Sequence, residues 1–322
     1  MHSLADLHEA AALVHRHMPP TPQYAWPLLA RRVGAQAIVK HENHTPTGAF
    51  KLRGGLTYLS ALARAKPGVR GVVSATRGNH GQSLAFAGLA LGIAATIVVP
   101  HGNSPEKNAA MRAFGATLVE HGADFDEARG EAARLAAADG LELVPSFHRD
   151  LLRGVSSYAL ELFSAWQDID TVYVPIGCGS GICSVIGVRD LLGLRTKVVG
   201  VVSERADAVA RSFEAGRPVN TETARTFADG MAVRVVVPEA FEMIRRGAER
   251  IVRVGEDGIA AAIRALFADT HNVAEGAGAA PLAALLQERA SMRGRRVAVI
   301  LCGGNIDSGR MATVLAGGTP SA

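Results

Sequence analysis

Cysteine is scarce. The 322-residue chain has three, Cys178, Cys183 and Cys302. An odd number without metal-ligand spacing argues against a disulfide framework and against zinc, and fits the reducing cytosol. Aromatic residues make up only 5%, and the excess of 34 Lys and Arg over 30 Asp and Glu is small and scattered. A nucleic-acid surface needs a concentrated basic patch, so no nucleic-acid partner is expected. Met1 to Glu9 contains no Lys or Arg, which the positively charged start of a secretory leader requires. Charge is missing altogether between Gly78 and Pro105, and "LAFAGLALGIAATIVVP" within that stretch resembles a membrane span. Gly88 and Gly92 interrupt it, however, and Ala94–Val99 is short, β-branched and stopped by Pro100. It reads as a buried helix followed by a buried parallel strand, with no membrane partner.

What the chain does have is core-forming capacity. Hydrophobic residues are 48% and charged residues 20%, enough for about two domains at roughly 150 residues each. Apolar β-branched runs recur at Ala37–Val39, Gly71–Ser74, Thr96–Val99, Thr117–Val119, Val172–Ile176, Val198–Val202 and Val297–Leu301. Helical stretches lie between them, among them Asp124–Ala138, Val155–Ala165, Asp257–Ala268 and Pro281–Ser291. Ser104-Pro105-Glu106 marks a helix start: a capping hydroxyl, proline at the first position and an acid at the dipole's positive end. Strand–helix alternation implies an α/β protein with mainly parallel sheets covered on both faces. No repeat or linker separates domains in series, so they are expected to interleave.

Ligands of such sheets bind beyond the carboxyl ends of strands. Three strand ends carry unusual loops: "SATRGNHG" after Val73, "GCGSG" after Ile176 and "CGGN" after Leu301. In "GCGSG" small residues let backbone N–H groups converge on an anion at a helix N-terminus. Its spacing is neither G-x-G-x-x-G nor the P-loop pattern, which favours a single phosphate; a tight strand–helix turn is the plain alternative. Lys51 is unusual too, in "HENHTPTGAFKLRGG" (41–55), where a turn hands over to a helix. A lysine there can be desolvated, lose its proton and act as a nucleophile. Lysine plus one phosphate suggests pyridoxal 5'-phosphate, whose aldehyde condenses with lysine.

The chain resembles the fold-type II pyridoxal-phosphate enzymes (tryptophan synthase β-like), particularly the serine/threonine dehydratase and serine racemase branch. "TPTGAFKLRGG" is similar to the cofactor-lysine motif, "RGNHGQS" (77–83) to the asparagine loop, "GCGSG" to the phosphate loop and "LCGGN" (301–305) to the pyridine-nitrogen motif, in the family's order. The resemblance implies two interleaved three-layer α/β domains with the cofactor in the cleft, a large one of residues 1–70 and 148–322 and a small one of 71–147. It implies that Lys51 binds the cofactor's aldehyde and Phe50 packs on the ring. Asn79 then bonds the phenolic oxygen, and Gly177, Cys178, Gly179, Ser180 and Gly181 hold the phosphate. Cys302 faces the pyridine nitrogen and Glu275, in "AEGAGAA", lies near the cofactor. Thr76, Arg77, Asn79 and His80 lie where the family grips its substrate, an amino acid. A homodimer in the cytoplasm is implied as well. The plain alternatives are small buried cysteines for Cys178 and Cys302, a helix cap for His80, core for Phe50 and an ordinary first-turn acid for Glu275.

Departures from the family narrow the chemistry. A neutral Cys302 thiol does not keep the pyridine nitrogen protonated, which weakens the electron sink and suits β-elimination. Arg77 replaces the serine that racemases use as a second proton donor, and a guanidinium is a poor acid or base; it attracts a carboxylate, shapes the substrate pocket or faces solvent. In "RTFADG" Arg225 replaces a metal-binding glutamate, so no metal is expected; a guanidinium paired with Asp229 would supply the charge. The chain ends soon after "LCGGN", leaving no room for a regulatory domain. The expected reaction is dehydration and deamination of a 3-hydroxy amino acid: threonine, serine, phenylserine or 3-hydroxyaspartate. A cysteine-synthase-like β-replacement, racemisation and a non-catalytic binding role stay open.

Overall fold

A computed structural model describes residues 3–322; of the segment read for a leader, Met1 and His2 lie outside the described residues. The chain divides into two compact units.

One unit comprises Pro20–His44 and Tyr158–Ala322 with the residues up to Leu4. Its six-stranded sheet runs, in spatial order, Gln23–Ala25, Gln36–His41, Arg296–Leu301, Thr171–Pro175, Lys197–Ser203 and Arg250–Val254. Every pairing is parallel except the first. Val172, Val174, Val198, Val199, Val201, Val297 and Val299 are all buried. Such unbroken apolar runs form strands covered on both faces. Register aligns Leu301 with His41, Pro175 with Val201 and Ser203 with Val254. The segments after Pro175, Leu301 and Ser203 therefore leave the sheet at one common edge, the edge where α/β sheets bind ligands.

The second unit comprises Ala5–Pro19 and Thr45–Ser157. Its parallel sheet has the order Thr117–Glu120, Ala94–Val99, Gly71–Ala75 and Glu142–Leu143. All four strands lie inside 71–147, the expected insertion, but the compact unit also takes in residues 45–70, 148–157 and the helical segment within 5–19. The reason is packing. Leu52, Leu56 and Leu59 share one face of the helix Lys51–Ala65 and join Leu84, Ala85 and Ala87 of the helix Asn79–Leu91 in one core over Val72 and Ile97. Each such leucine contributes about 1.5–3 kcal/mol when buried, so the helix belongs with the sheet it covers.

The uncharged stretch resolves into that Asn79–Leu91 helix and the Ala94–Val99 strand. No helix of the described residues is long and apolar enough to cross a membrane. Ser104 caps its helix as expected, accepting from the Lys107 N–H at 3.1 Å. Three helices start earlier than their sequence suggested, at Arg149 rather than Val155, at Glu256 rather than Asp257 and at Gly276 rather than Pro281. Strands Gln23–Ala25, Glu142–Leu143 and Arg250–Val254 were not anticipated.

Candidate active site

In the second unit the expected residues come from two adjacent elements. Lys51 is the first residue of the helix Lys51–Ala65, with no acid in its first turn. The turn before it is closed by Thr45, whose Oγ1 accepts from the Ala49 N–H at 2.9 Å and whose carbonyl accepts from Gly48 at 2.9 Å. Lys51 Nζ stands 5.0 Å from the centroid of the Phe50 ring, so Phe50 contacts the lysine rather than serving only as core. Ser83 Oγ donates to the Lys51 carbonyl at 2.6 Å, tying the lysine's backbone to the helix that carries the asparagine loop.

That loop leaves the strand Gly71–Ala75. Thr76 is buried and accepts from the Gly78 N–H at 3.0 Å, whereas Arg77 between them is exposed. Asn79 opens the next helix, with Gly78 as an N-cap that offers no side chain. The first N–H groups of such a helix suit a carboxylate. His80 is therefore not the cap. It is buried, and its Nε2 has no partner. Burial foremost, then the nearby charge of Lys51, push the imidazole down to about 3, against a hydrogen bond to the Pro145 carbonyl. The ring is neutral at ordinary pH, with its proton on the nitrogen facing Pro145 and a bare lone pair on Nε2. A buried acceptor without a donor costs about 1–3 kcal/mol, and Nε2 is able to accept a hydrogen bond from a ligand.

In the first unit the residues after Pro175 form a cradle. Gly177 packs so closely that a Cβ there would lie 2.3 Å from the Gly230 carbonyl oxygen. Gly179, at φ 98°, caps the helix Ser180–Leu191 without a side chain. Tyr158 OH donates to the Gly181 carbonyl at 2.9 Å, and Ser180 is buried while Cys178 is half-buried. A floor that admits no side chain, below the start of a 12-residue helix with no side-chain cap, fits a phosphate. Cys302 follows the strand Arg296–Leu301 and is buried. Glu275 is the N-cap of the helix Gly276–Gln287, and its N–H donates to the Gly303 carbonyl at 3.1 Å. Glu275 is only 2% exposed, unlike an ordinary first-turn acid.

The site residues thus form two groups: Phe50, Lys51, Thr76, Arg77, Asn79 and His80 in one unit, and Gly177 to Gly181, Glu275 and Cys302 in the other. Arg225 is exposed, and a second guanidinium reaches the segment after it: Arg310 Nη1 donates to the Phe227 carbonyl at 3.2 Å. Tyr158 and Arg310 lie outside the sequence motifs because their partners are distant in the chain.

Residues 14–303 match the model of the pyridoxal-phosphate dependent enzyme family. The chain is 34% identical over 306 residues to the biosynthetic L-threonine dehydratase IlvA of Salmonella typhimurium, covering 94% of this chain and 58% of that one. It therefore spans little more than half the length of that relative. It is 34% identical over 318 residues to a putative threonine dehydratase of Sinorhizobium fredii, covering 98% and 96%. The processed form of threonine deaminase isoform 2 from Solanum lycopersicum superposes with a TM-score of 0.88 at 29% identity, covering 98% of this chain and 94% of that one.

Proposed function

We propose that this chain, which belongs to the pyridoxal-phosphate-dependent enzyme family in its fold-type II form, is an ammonia-lyase that dehydrates and deaminates a 3-hydroxy amino acid to a 2-oxo acid. Its cofactor is pyridoxal phosphate, which when bound supplies an electron sink at the substrate's Cα. The observation that carries the reading is the grouping of Lys51 with an unprotonated, buried His80 at the helix start that Asn79 opens. The printed names of the relatives, threonine dehydratase and threonine deaminase, support the same reaction.

Each residue has a task in it. Lys51 holds the aldehyde and, once free, takes the Cα proton on Nζ. Thr76, Asn79 and the N–H groups of the loop bind the substrate carboxylate, and Asn79 also orients the ring. Gly177, Cys178, Gly179, Ser180 and Gly181 bind the phosphate; Cys302 and Glu275 flank the ring. Arg77 sets the preference for the substrate's side chain. The reading carries with it a homodimer in the reducing cytosol; the sparse, odd set of three cysteines supports the compartment, and the family resemblance supports the dimer.

The test is 2-oxo acid formation with pyridoxal phosphate from L-threonine, L-serine, L-threo-phenylserine and 3-hydroxyaspartate. Product from at least one is expected. No product from any, with the cofactor's visible absorption present, overturns the lyase reading in favour of β-replacement or binding alone. Activity is also expected to survive EDTA unchanged, because Arg310 holds the segment after Arg225 from its carbonyl side. Loss on EDTA treatment with recovery on adding Mg²⁺ or Ca²⁺ would contradict this.

A further inference from the structure

We infer that Glu256 and Arg310 are positioning residues that clamp the backbone of Phe227 and so fix the floor of the anion cradle at Gly177. The inference rests on the reading of residues 177–181 as the phosphate loop. Around Phe227 the chain has no regular structure until the short turn Asp229–Met231. Phe227 itself is buried, at 2% exposure, so both of its backbone polar groups require partners. They find them in two charged side chains. The Phe227 N–H donates to Glu256 Oε2 at 2.9 Å, and the Phe227 carbonyl accepts from Arg310 Nη1 at 3.2 Å.

Glu256 is more than a single anchor. Its Oε1 accepts from Thr226 Oγ1 at 2.8 Å and from Ser203 Oγ at 2.7 Å, so three donors converge on one carboxylate. It opens the helix Glu256–Thr270, where the dipole favours the anion. Charge-assisted bonds of this kind are stronger than neutral ones. Thr226 Oγ1 in turn accepts from the Ala228 N–H at 3.1 Å, and the Ala228 carbonyl accepts from Met231 at 2.8 Å. This chain of bonds ends at the Met231 N–H, in the same peptide unit as the Gly230 carbonyl, whose oxygen lies against Gly177 at the distance that excludes a Cβ. The clamp therefore sets the position of the surface on which the phosphate loop rests, without touching the ligand.

A carboxylate is required. Gln in place of Glu256 can accept at one oxygen only and would turn an N–H₂ towards a donor. Met in place of Arg310 keeps length but removes the donor, and Lys restores one donor.

The experiment titrates apoprotein with pyridoxal 5'-phosphate and, separately, with pyridoxal, by absorbance, for wild type, E256Q, R310M and R310K. Unfolding midpoints are recorded alongside. E256Q and R310M are expected to weaken pyridoxal phosphate roughly tenfold, the loss expected for one buried group left unpaired, and to leave pyridoxal within about twofold. R310K is expected to recover part of the loss. Equal weakening of both ligands, or a fall in the unfolding midpoint alone, reduces the clamp to a structural role and overturns the inference, as does unchanged affinity for both. Failure of wild type to prefer the phosphorylated ligand overturns the phosphate-loop reading itself and is recognisable as such.

Discussion

Replacing Lys51 with alanine is expected to abolish turnover of every 3-hydroxy amino acid, a fall of at least roughly 10³-fold in kcat, since proton transfer alone contributes about 10²–10⁴-fold. Two tasks disappear with one side chain, because the nucleophile that holds the cofactor is also the proposed base at Cα. No neighbour in its own unit can take over. His80 lies in the electrostatic field of Lys51 but is held neutral down to about pH 3, so its conjugate acid is too strong to serve as a proton reservoir at neutral pH. Phe50 offers only its ring face, 5.0 Å from Nζ. The substitution leaves the backbone bond from Ser83 Oγ to the residue 51 carbonyl in place, so the helix start should persist. Activity is read as 2-oxo acid release, and folding as an unchanged unfolding midpoint. A K51A protein that folds and retains a tenth or more of wild-type kcat rules out Lys51 as the catalytic group.

Much of this site is legible in the sequence because its signals are local. The loops at Thr76–His80, Gly177–Gly181 and Cys302 follow continuous β-branched runs, and a run buried on both faces marks a strand wherever it occurs. Where local signals fail, a distant partner has decided the outcome. Arg250–Val254 places two arginines among three apolar residues, so it lacks the unbroken apolar run of the other strands. It is an edge strand because Arg250 pairs with Glu288 and Arg253 with Asp207 and Glu214. The helix expected from Val155 begins instead at Arg149 and passes through Gly154. A Cβ there would lie 2.0 Å from the Arg53 carbonyl oxygen, so the glycine serves the contact with Lys51's helix.

The same reasoning separates the anticipated site residues from the missed ones. In "VGEDG" Glu256 looks like any acid in a first turn; its three donors, Ser203, Thr226 and Phe227, come from 53, 30 and 29 positions away. Arg225 drew attention for its place in "RTFADG", but the guanidinium that works on that segment comes from Arg310, 83 residues beyond Phe227. Motifs report which residues meet a ligand. They do not report what holds the motif still.

Acid is expected to destabilise the fold well above the pH at which carboxylates are protonated, through one buried histidine in each unit. His41 accepts from Trp26 Nε1 at Nε2, 2.9 Å away, a bond only the unprotonated nitrogen can accept. Burial foremost, then the charge of His44, push it down to about 4. His80 is pushed down to about 3, again chiefly by burial. In the unfolded chain both return to about 6.5. Between pH 6.5 and those lower values the unfolded state binds the protons that the folded state refuses, so stability falls as pH falls. The contribution is fully present above about 6.5 and is lost at up to about 1.4 kcal/mol per histidine per pH unit. By pH 5 that amounts to about 2 kcal/mol each, a large share of a net stability of about 5–15 kcal/mol. The measurement is the urea midpoint at pH 7 and pH 5. H41Q and H80Q, whose amide oxygens can still accept a hydrogen bond but do not titrate, should each lose about half of the pH-dependent drop. A wild-type midpoint that stays level from pH 7 to pH 5 would mean that both imidazoles take up protons in the folded protein, and the neutral His80 on which the site's acceptor depends would be lost with it.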